Sequence, residues 1–253
     1  KAMNLFYVLL AYFSLFALGL IDNSRCPIYP EVLNFFKIKN SQGSLIFSIA
    51  SLAAFLITLF SKFWLNKLGA ILSTKLSLFI MSLSALCMGY FGSNNEFFLL
   101  FLISNILFGI SVGVQSITLN LIISESVPIL KRQKSFSRLH AMYGLASFIA
   151  PLIMSIVYYF SLKWNDYFYL LALLPFVLLV FSFRLSPLDI KQAETKTLNA
   201  NRGRNIALGV LVSFYVATEM MISTRLVLYA NDVWNKSLAE ASSFLSLYFL
   251  LLL

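Results

Sequence analysis

Eight apolar runs follow one another along the chain, at residues 4–34, 43–61, 71–92, 97–123, 139–161, 167–185, 206–230 and 241–253. Most are close to the roughly 20 apolar residues a helix needs to cross the hydrocarbon core of a membrane; the first is longer and the last shorter. Nothing else in the sequence constrains the fold so strongly. A backbone in lipid must satisfy its own hydrogen bonds, and only helices and closed barrels do so. A membrane barrel would show short segments of alternating character, whereas these runs are long and unbroken. The expected class is therefore an all-α polytopic membrane protein. With 60% hydrophobic and 11% charged residues, a soluble domain of this composition would carry a continuous apolar surface.

The net charge of +9 does not point to nucleic acid, which requires basic residues gathered on one face. Here they occupy the connections between runs. One set of connections holds Lys62, Lys67 and Lys75, then Lys131, Arg132, Lys134 and Arg138, then Arg184, Lys191, Lys196, Arg202 and Arg204; with Lys1 that makes thirteen. The other set holds four: Lys37, Lys39, Lys163 and Lys236. Basic loops stay on the cytoplasmic side, so a cytoplasmic N-terminus in a bacterial inner membrane is expected, with lipid headgroups as secondary partners of the basic loops. Trp64, Trp164 and Trp234 fall at span ends, as interfacial aromatics do.

The polar stretch over 186–205 has the composition of a linker. It separates a six-span unit (1–185) from two further runs (206–253). The last run ends without a polar flank and the chain begins with Lys, so the expectation is an N-terminal fragment, or a truncated product, of something longer.

Two acids lie inside apolar runs, Asp22 and Glu219. A charge at the bilayer centre costs about 2.5–3.5 kcal/mol on insertion scales, so such residues usually face an interior and have a task. An offset of 197 carries Asp22 to Glu219, Asn34 to Asn231, Lys39 to Lys236 and Phe47 to Phe244, which suggests an internal repeat of the kind secondary transporters are built from. Asp22 has Arg25 at i+3, where the two share a helix face; a fixed ion pair and a proton or substrate site are both open. Glu219 has no arginine at i+3 or i+4 and is freer to act. Arg225 either binds an anionic group or snorkels outward.

Gln115, Asn120 and Asn105 either line a polar cavity or join helices by hydrogen bonds. Gly109 and Gly113 suit close helix packing. His140, the only histidine, sits at a span end and suits a gate or packing position. Metalloprotease chemistry needs paired histidines and an acid, which this chain lacks. No Gly-x-Ser-x-Gly elbow is present, and Cys26 and Cys87 have no metal-ligand spacing. No catalytic residue, metal or cofactor is expected.

Between the second and third runs the chain reads Lys62-Phe-Trp-Leu-Asn66-Lys67-Leu-Gly69. This resembles the loop signature of the major facilitator superfamily, Gly-x-x-x-Asp-Arg-x-Gly. Lys67 and Gly69 match; Asn66 stands where the family has its acid. Four further segments resemble the fucose and glucose permease-like branch. They are Phe16-Ala leading to Asp22, the glycine-rich Phe108–Asn120 segment, and Leu139-His140-Ala-Met-Tyr143-Gly144 leading to Ala150-Pro151, with Tyr215-x-x-x-Glu219 in the seventh run. The branch's fucose permease has a glutamate where this chain has Ser116.

The resemblance implies a twelve-span bundle in two six-helix halves and secondary active transport by alternating access. A small, sugar-like solute and coupled protons would be the partners, and the full-length protein would act as a monomer. It makes Asp22, Arg25, Glu219, Arg225, Gln115 and Asn120 the coupling or substrate candidates, and His140, Gly144, Pro151, Gly109 and Gly113 the gate or packing positions. Efflux of an amphiphile by the same superfamily, which 25 Phe and 12 Tyr do not exclude, and a non-transporting truncated scaffold are the alternatives.

Overall fold

A computed structural model describes residues 4–186, 188 and 202–252. Lys1, Lys191, Lys196, Leu253 and most of the expected linker lie outside the described residues.

The first apolar run is two helices rather than one. α1 (Leu5–Ser24) stops short of Pro27, whose ring would clash with the Asn23 carbonyl and which has no N–H to give it. Residues 25–28 form a turn: Arg25 N–H caps α1 by donating to the Asp22 carbonyl at 3.3 Å, and Tyr29 N–H donates to the Cys26 carbonyl at 3.2 Å. α2 (Tyr29–Phe36) then restarts with Pro30 in its first turn, where a missing N–H costs nothing. The expectation of one span over 4–34 is corrected accordingly: Asp22 lies in the last turn of α1, under the break.

The second crossing is α3 (Asn40–Gly43) running into α4 (Leu45–Leu59). α5 (Ser61–Phe91), α6 (Phe98–Ser126), α7 (Ile129–Tyr159), α8 (Trp164–Ser182) and α9 (Arg202–Asp232) follow, and α10 (Leu238–Leu252) is last. Seven crossings among the described residues are long and apolar enough to span a membrane; α10 is a shorter apolar helix.

The 62–69 segment, read from sequence as a connection, is already helical. Lys62, Asn66 and Lys67 project from the first turns of α5, and Gly69 breaks the helix with φ of 69°. With ψ of 171°, this positive-φ extended conformation is one that essentially only glycine adopts and costs a residue bearing a Cβ about 1 kcal/mol or more, and no atom lies near enough to obstruct a Cβ there. Gly69→Ala should therefore lower unfolding stability by about 1 kcal/mol through backbone strain alone, measured by SDS titration of the purified protein; no loss would remove the strain argument.

α1 is central, packing on α6, α7 and α8. α4 lies along α6, α5 lies between α6 and α8, and α10 packs on α7 while α9 packs on α10 and touches α2. Start and finish of the six-helix unit meet at the basic end, where Asn4 N–H donates to the Ser126 carbonyl (3.3 Å) and Tyr7 Oη to the Ser186 carbonyl (3.0 Å). At the opposite, aromatic end, Trp164 packs edge-on to Phe35 and Phe101.

The bundle core is unusually rich in hydroxyls. Thr74 meets Thr118 (2.9 Å), Ser77 and Ser111 donate to each other's carbonyls (3.3 and 3.2 Å), and Ser84 donates to the Ser104 carbonyl (2.8 Å). With lipid tails as apolar as leucine, small residues and such hydrogen bonds hold membrane helices together. Leucine and phenylalanine occupy the outside instead, as on α8 at Leu170, Leu173, Phe176 and Val177.

Two of the connections at the aromatic end, those after α2 and α9, share a local architecture. Lys37 (φ 53°) and Asn235 (φ 51°) are both left-handed. Two residues on, Lys39 N–H donates to Gln42 Oε1 and Ser237 N–H donates to Glu240 Oε2, each at 3.1 Å. All three pairs differ by 198 (235−37, 237−39, 240−42), one residue from the sequence offset.

Candidate functional site

Asp22 sits where α1 ends beneath α2, and the chain fold surrounds it from three sides. Arg25, one turn on, donates Nη2 to Asp22 Oδ1. From α7, Tyr143 donates its hydroxyl to Asp22 Oδ2 at 2.8 Å. This approach depends on Gly19 and Ala146, which face each other where α1 and α7 cross. The neighbouring Asn23 secures the same crossing by donating Nδ2 to Ser147 Oγ at 2.9 Å.

The Arg25 guanidinium is buried, at 4% exposure. Its Nη1 donates to Asn105 Oδ1 (3.2 Å) and to the Ile46 carbonyl (3.3 Å). Its flat face stacks on Phe108 at 4.6 Å and lies 5.5 Å from the centre of Phe47. A delocalised, weakly hydrated guanidinium is the cation best suited to such a place. Through it, the Asp22 carboxylate is tied to α4 and α6; through Tyr143 it is tied to α7.

On its other side Asp22 opens into a cavity of about 350 Å³, lined by Leu15, Leu18, Val112, Gln115, Ser116, Leu119, Asn120, Leu139, His140 and Tyr143. Gln115 is fully buried; its Nε2 reaches Met81 Sδ at 3.9 Å and its Oε1 has no protein partner among the described residues. Asn120 donates Nδ2 to the Ser116 carbonyl at 2.7 Å. Apart from Ser116 and His140, the remaining wall is aliphatic. The constellation offers one carboxylate, one phenol and one free amide carbonyl, which suits holding a proton and binding a hydrogen-bond donor.

The structure thus brings together Asp22, Arg25, Gln115, Asn120 and His140 from the sequence candidates. Asn105 does not line the cavity; it holds Arg25. Glu219 and Arg225 are elsewhere. Glu219 is partly exposed on α9, beside Tyr215, and Arg225 reaches across to α2 and α4, donating Nη2 to Ser44 Oγ at 2.6 Å. Gly109 and Gly113 bring α6 against the backbone of α4. Pro151 is buried inside α7 and Gly144 is half-buried beside Tyr143. Tyr143 itself is the site residue that sequence reasoning passes over, although it is visible as a tyrosine one turn from His140.

The family model described as Major Facilitator Superfamily matches residues 11–253. A search of curated proteins finds no match. Among solved structures, the chain is similar to a D-xylose-proton symporter, with a TM-score of 0.72 and 15% identity over 97% of this chain and 66% of that one. It is also similar to the inward open conformation of the xylose transporter XylE from E. coli, with a TM-score of 0.59 and 17% identity over 72% and 47% of the respective chains. The chain therefore spans just under two thirds of the first of these structures, and its match covers about half of the second. With a helical bundle of this connectivity and a family match over nearly its whole length, the chain belongs to the major facilitator superfamily.

Proposed function

We propose that this protein is a secondary active transporter that moves a small polar solute by alternating access, with Asp22 as its proton-carrying group. One observation carries the reading: a carboxylate in the last turn of a helix long and apolar enough to span a membrane lies on the wall of a solute-sized cavity, gripped by a guanidinium on one oxygen and a phenol on the other. Intramembrane acids facing a cavity commonly serve proton relays. The two similar structures are titled as transporters of xylose, one of them a proton symporter; a sugar-like solute coupled to protons is the reading they support. Solute would contact Gln115 and Asn120 from this half of the bundle. The thirteen-to-four distribution of basic residues supports a cytoplasmic N-terminus, which makes the aromatic end external. Gly144, Pro151 and His140 line or flank α7 where it borders the cavity, the place for a gate.

The aliphatic wall formed by Leu15, Leu18, Val112, Leu119 and Leu139 favours a solute with one apolar face, and on that ground efflux of an amphiphile is the second reading.

The test is uptake of a solute panel by proteoliposomes holding the intact protein, with and without a pH gradient. Asp22→Asn should abolish gradient-driven accumulation while leaving exchange of the same solute measurable. Accumulation at the wild-type level would return Asp22 to a purely structural ion pair.

A further inference from the structure

The contact that α9 makes with the preceding helices includes one cation, Arg225, and it touches the Asp22 cluster through two aromatic rings. Arg225 of α9 lays its guanidinium over the Tyr29 ring at 4.6 Å and donates to Ser44 Oγ at 2.6 Å. Tyr29 is fully buried and fixed by its own hydroxyl, which donates to the Asn40 carbonyl at 2.9 Å. Its ring lies 5.6 Å from that of Phe47, and Phe47 in turn faces Arg25, 5.5 Å from the guanidinium carbon. The sequence of contacts runs Asp22, Arg25, Phe47, Tyr29, Arg225. Its members come from the α1 end, α4, α2 and α9.

We propose that Arg225 is a latch that closes the aromatic end of the bundle between its two halves, and that Phe47 and Tyr29 make this latch responsive to the charge on Asp22. The proposal rests on the reading of Asp22 given above and adds a residue and a route to it. Arg25 is held by one carboxylate and by neutral partners. When the carboxylate loses its charge, the attraction that fixes the guanidinium falls, and its position over Phe47 is free to change. Phe47 forms one wall against Tyr29, the platform on which Arg225 rests. The other titratable groups beside Asp22 are Tyr143 and Cys26, with His140 on the same cavity wall, and none of them belongs to this relay. The aromatic pair is the physical connection between the two charges. Intermediacy alone does not establish coupling; a shared two-state element does, and the opening of the aromatic end supplies it.

The experiment is a distance measurement on the intact protein. Spin labels at Ser41→Cys and Val233→Cys, with Cys26 and Cys87 replaced by Ala, report the separation of the two halves at the aromatic end by double electron–electron resonance. Arg225→Ala should raise the long-distance population about tenfold, as expected for losing a half-buried cation–π contact and a hydrogen bond. Asp22→Asn should raise it too, but not further in an Arg225→Ala background, and Phe47→Leu should blunt the Asp22→Asn response. An Arg225→Ala distribution identical to the wild type overturns the latch. Equal Asp22→Asn responses with and without Arg225 overturn the relay. Arg225→Lys keeps the charge and checks that a loss of folding is not being read as opening: it should give a smaller shift than Ala, and a shift equal to that of Ala with reduced helicity counts against the latch. Uptake is scored separately. Normal accumulation by Asp22→Asn protein together with the expected distance shifts would sink the proton role and leave the latch standing.

Discussion

Replacing Asp22 by Asn or Arg25 by Met alone should each destabilise the folded protein by about 3–5 kcal/mol, while the double variant recovers more than half of that loss. The reason is charge compensation. The side chains of Arg25 and Asp22 are 5% and 18% exposed, so neither half of the pair is well hydrated when its partner is gone. A guanidinium cannot shed its proton; in the Asp22→Asn protein it stays charged between Phe47 and Phe108 with only Asn105, the Ile46 carbonyl and a neutral amide around it. In the Arg25→Met protein the carboxylate keeps Tyr143 but loses its cation. Removing both charges leaves a pocket of similar volume with neutral groups, and buried ion pairs replaced in this manner are often tolerated. Unfolding of the four proteins in SDS, arranged as a double-mutant cycle, measures the coupling directly. Additive losses would mean that the pair is not the unit the geometry describes.

The helical bundle is legible in the sequence because bilayer thickness leaves so few options. Each apolar run corresponds to helix, and the basic connections mark one end of the bundle. Local punctuation is legible too, yet hydropathy alone hides its effect at Pro27: the ring excludes the Asn23 carbonyl whatever the surrounding residues, and the helix ends there. Asp22 and Arg25 can be paired from their i+3 spacing, which is a property of one helical turn. Tyr143 cannot, because its separation of 121 residues from Asp22 is closed only by the α1–α7 crossing at Gly19 and Ala146. The polarity of Asn105 suits a cavity wall, but polarity does not say on which face of α6 a side chain emerges. Ser104, Ser111 and Thr118 recur every seven residues on α6, opposite Ser84, Ser77 and Thr74 of α5. That spacing is present in the sequence and identifies the α5–α6 contact. The meeting of Arg225 with Tyr29 has no sequence signal, since it joins two halves whose relative placement only the tertiary fold decides.

Gly109→Leu should prevent the protein from folding, and even Gly109→Ala should cost about 1–3 kcal/mol, the usual penalty for overpacking. A Cβ at position 109 would fall onto the Ala50 carbonyl, with the Ala50 Cα and carbonyl carbon 2.8 Å away. Backbone cannot rotate aside as a side chain does, so relief requires α4 to withdraw from α6. That withdrawal would move Ile46 and Phe47 away from Arg25 and loosen the Asp22 cluster with it. Gly113 is the next residue on the same face. A Cβ there meets the Ala54 carbonyl at 2.6 Å and Ile57 at 3.0 Å, so Gly113→Ala should act in the same direction with a smaller effect. Gly209 on α9 has nothing within 4 Å of an added Cβ, and Gly209→Ala should be neutral or stabilising by up to about 1 kcal/mol from helix propensity. SDS-titration stabilities of the three alanine variants should rise in that order. Ala50→Gly should fail to rescue Gly109→Ala, because the obstacle is the carbonyl group and not the Ala50 methyl. A rescue would show that the two helices are separated by side chains, and the close approach that positions Arg25 would have to be explained another way.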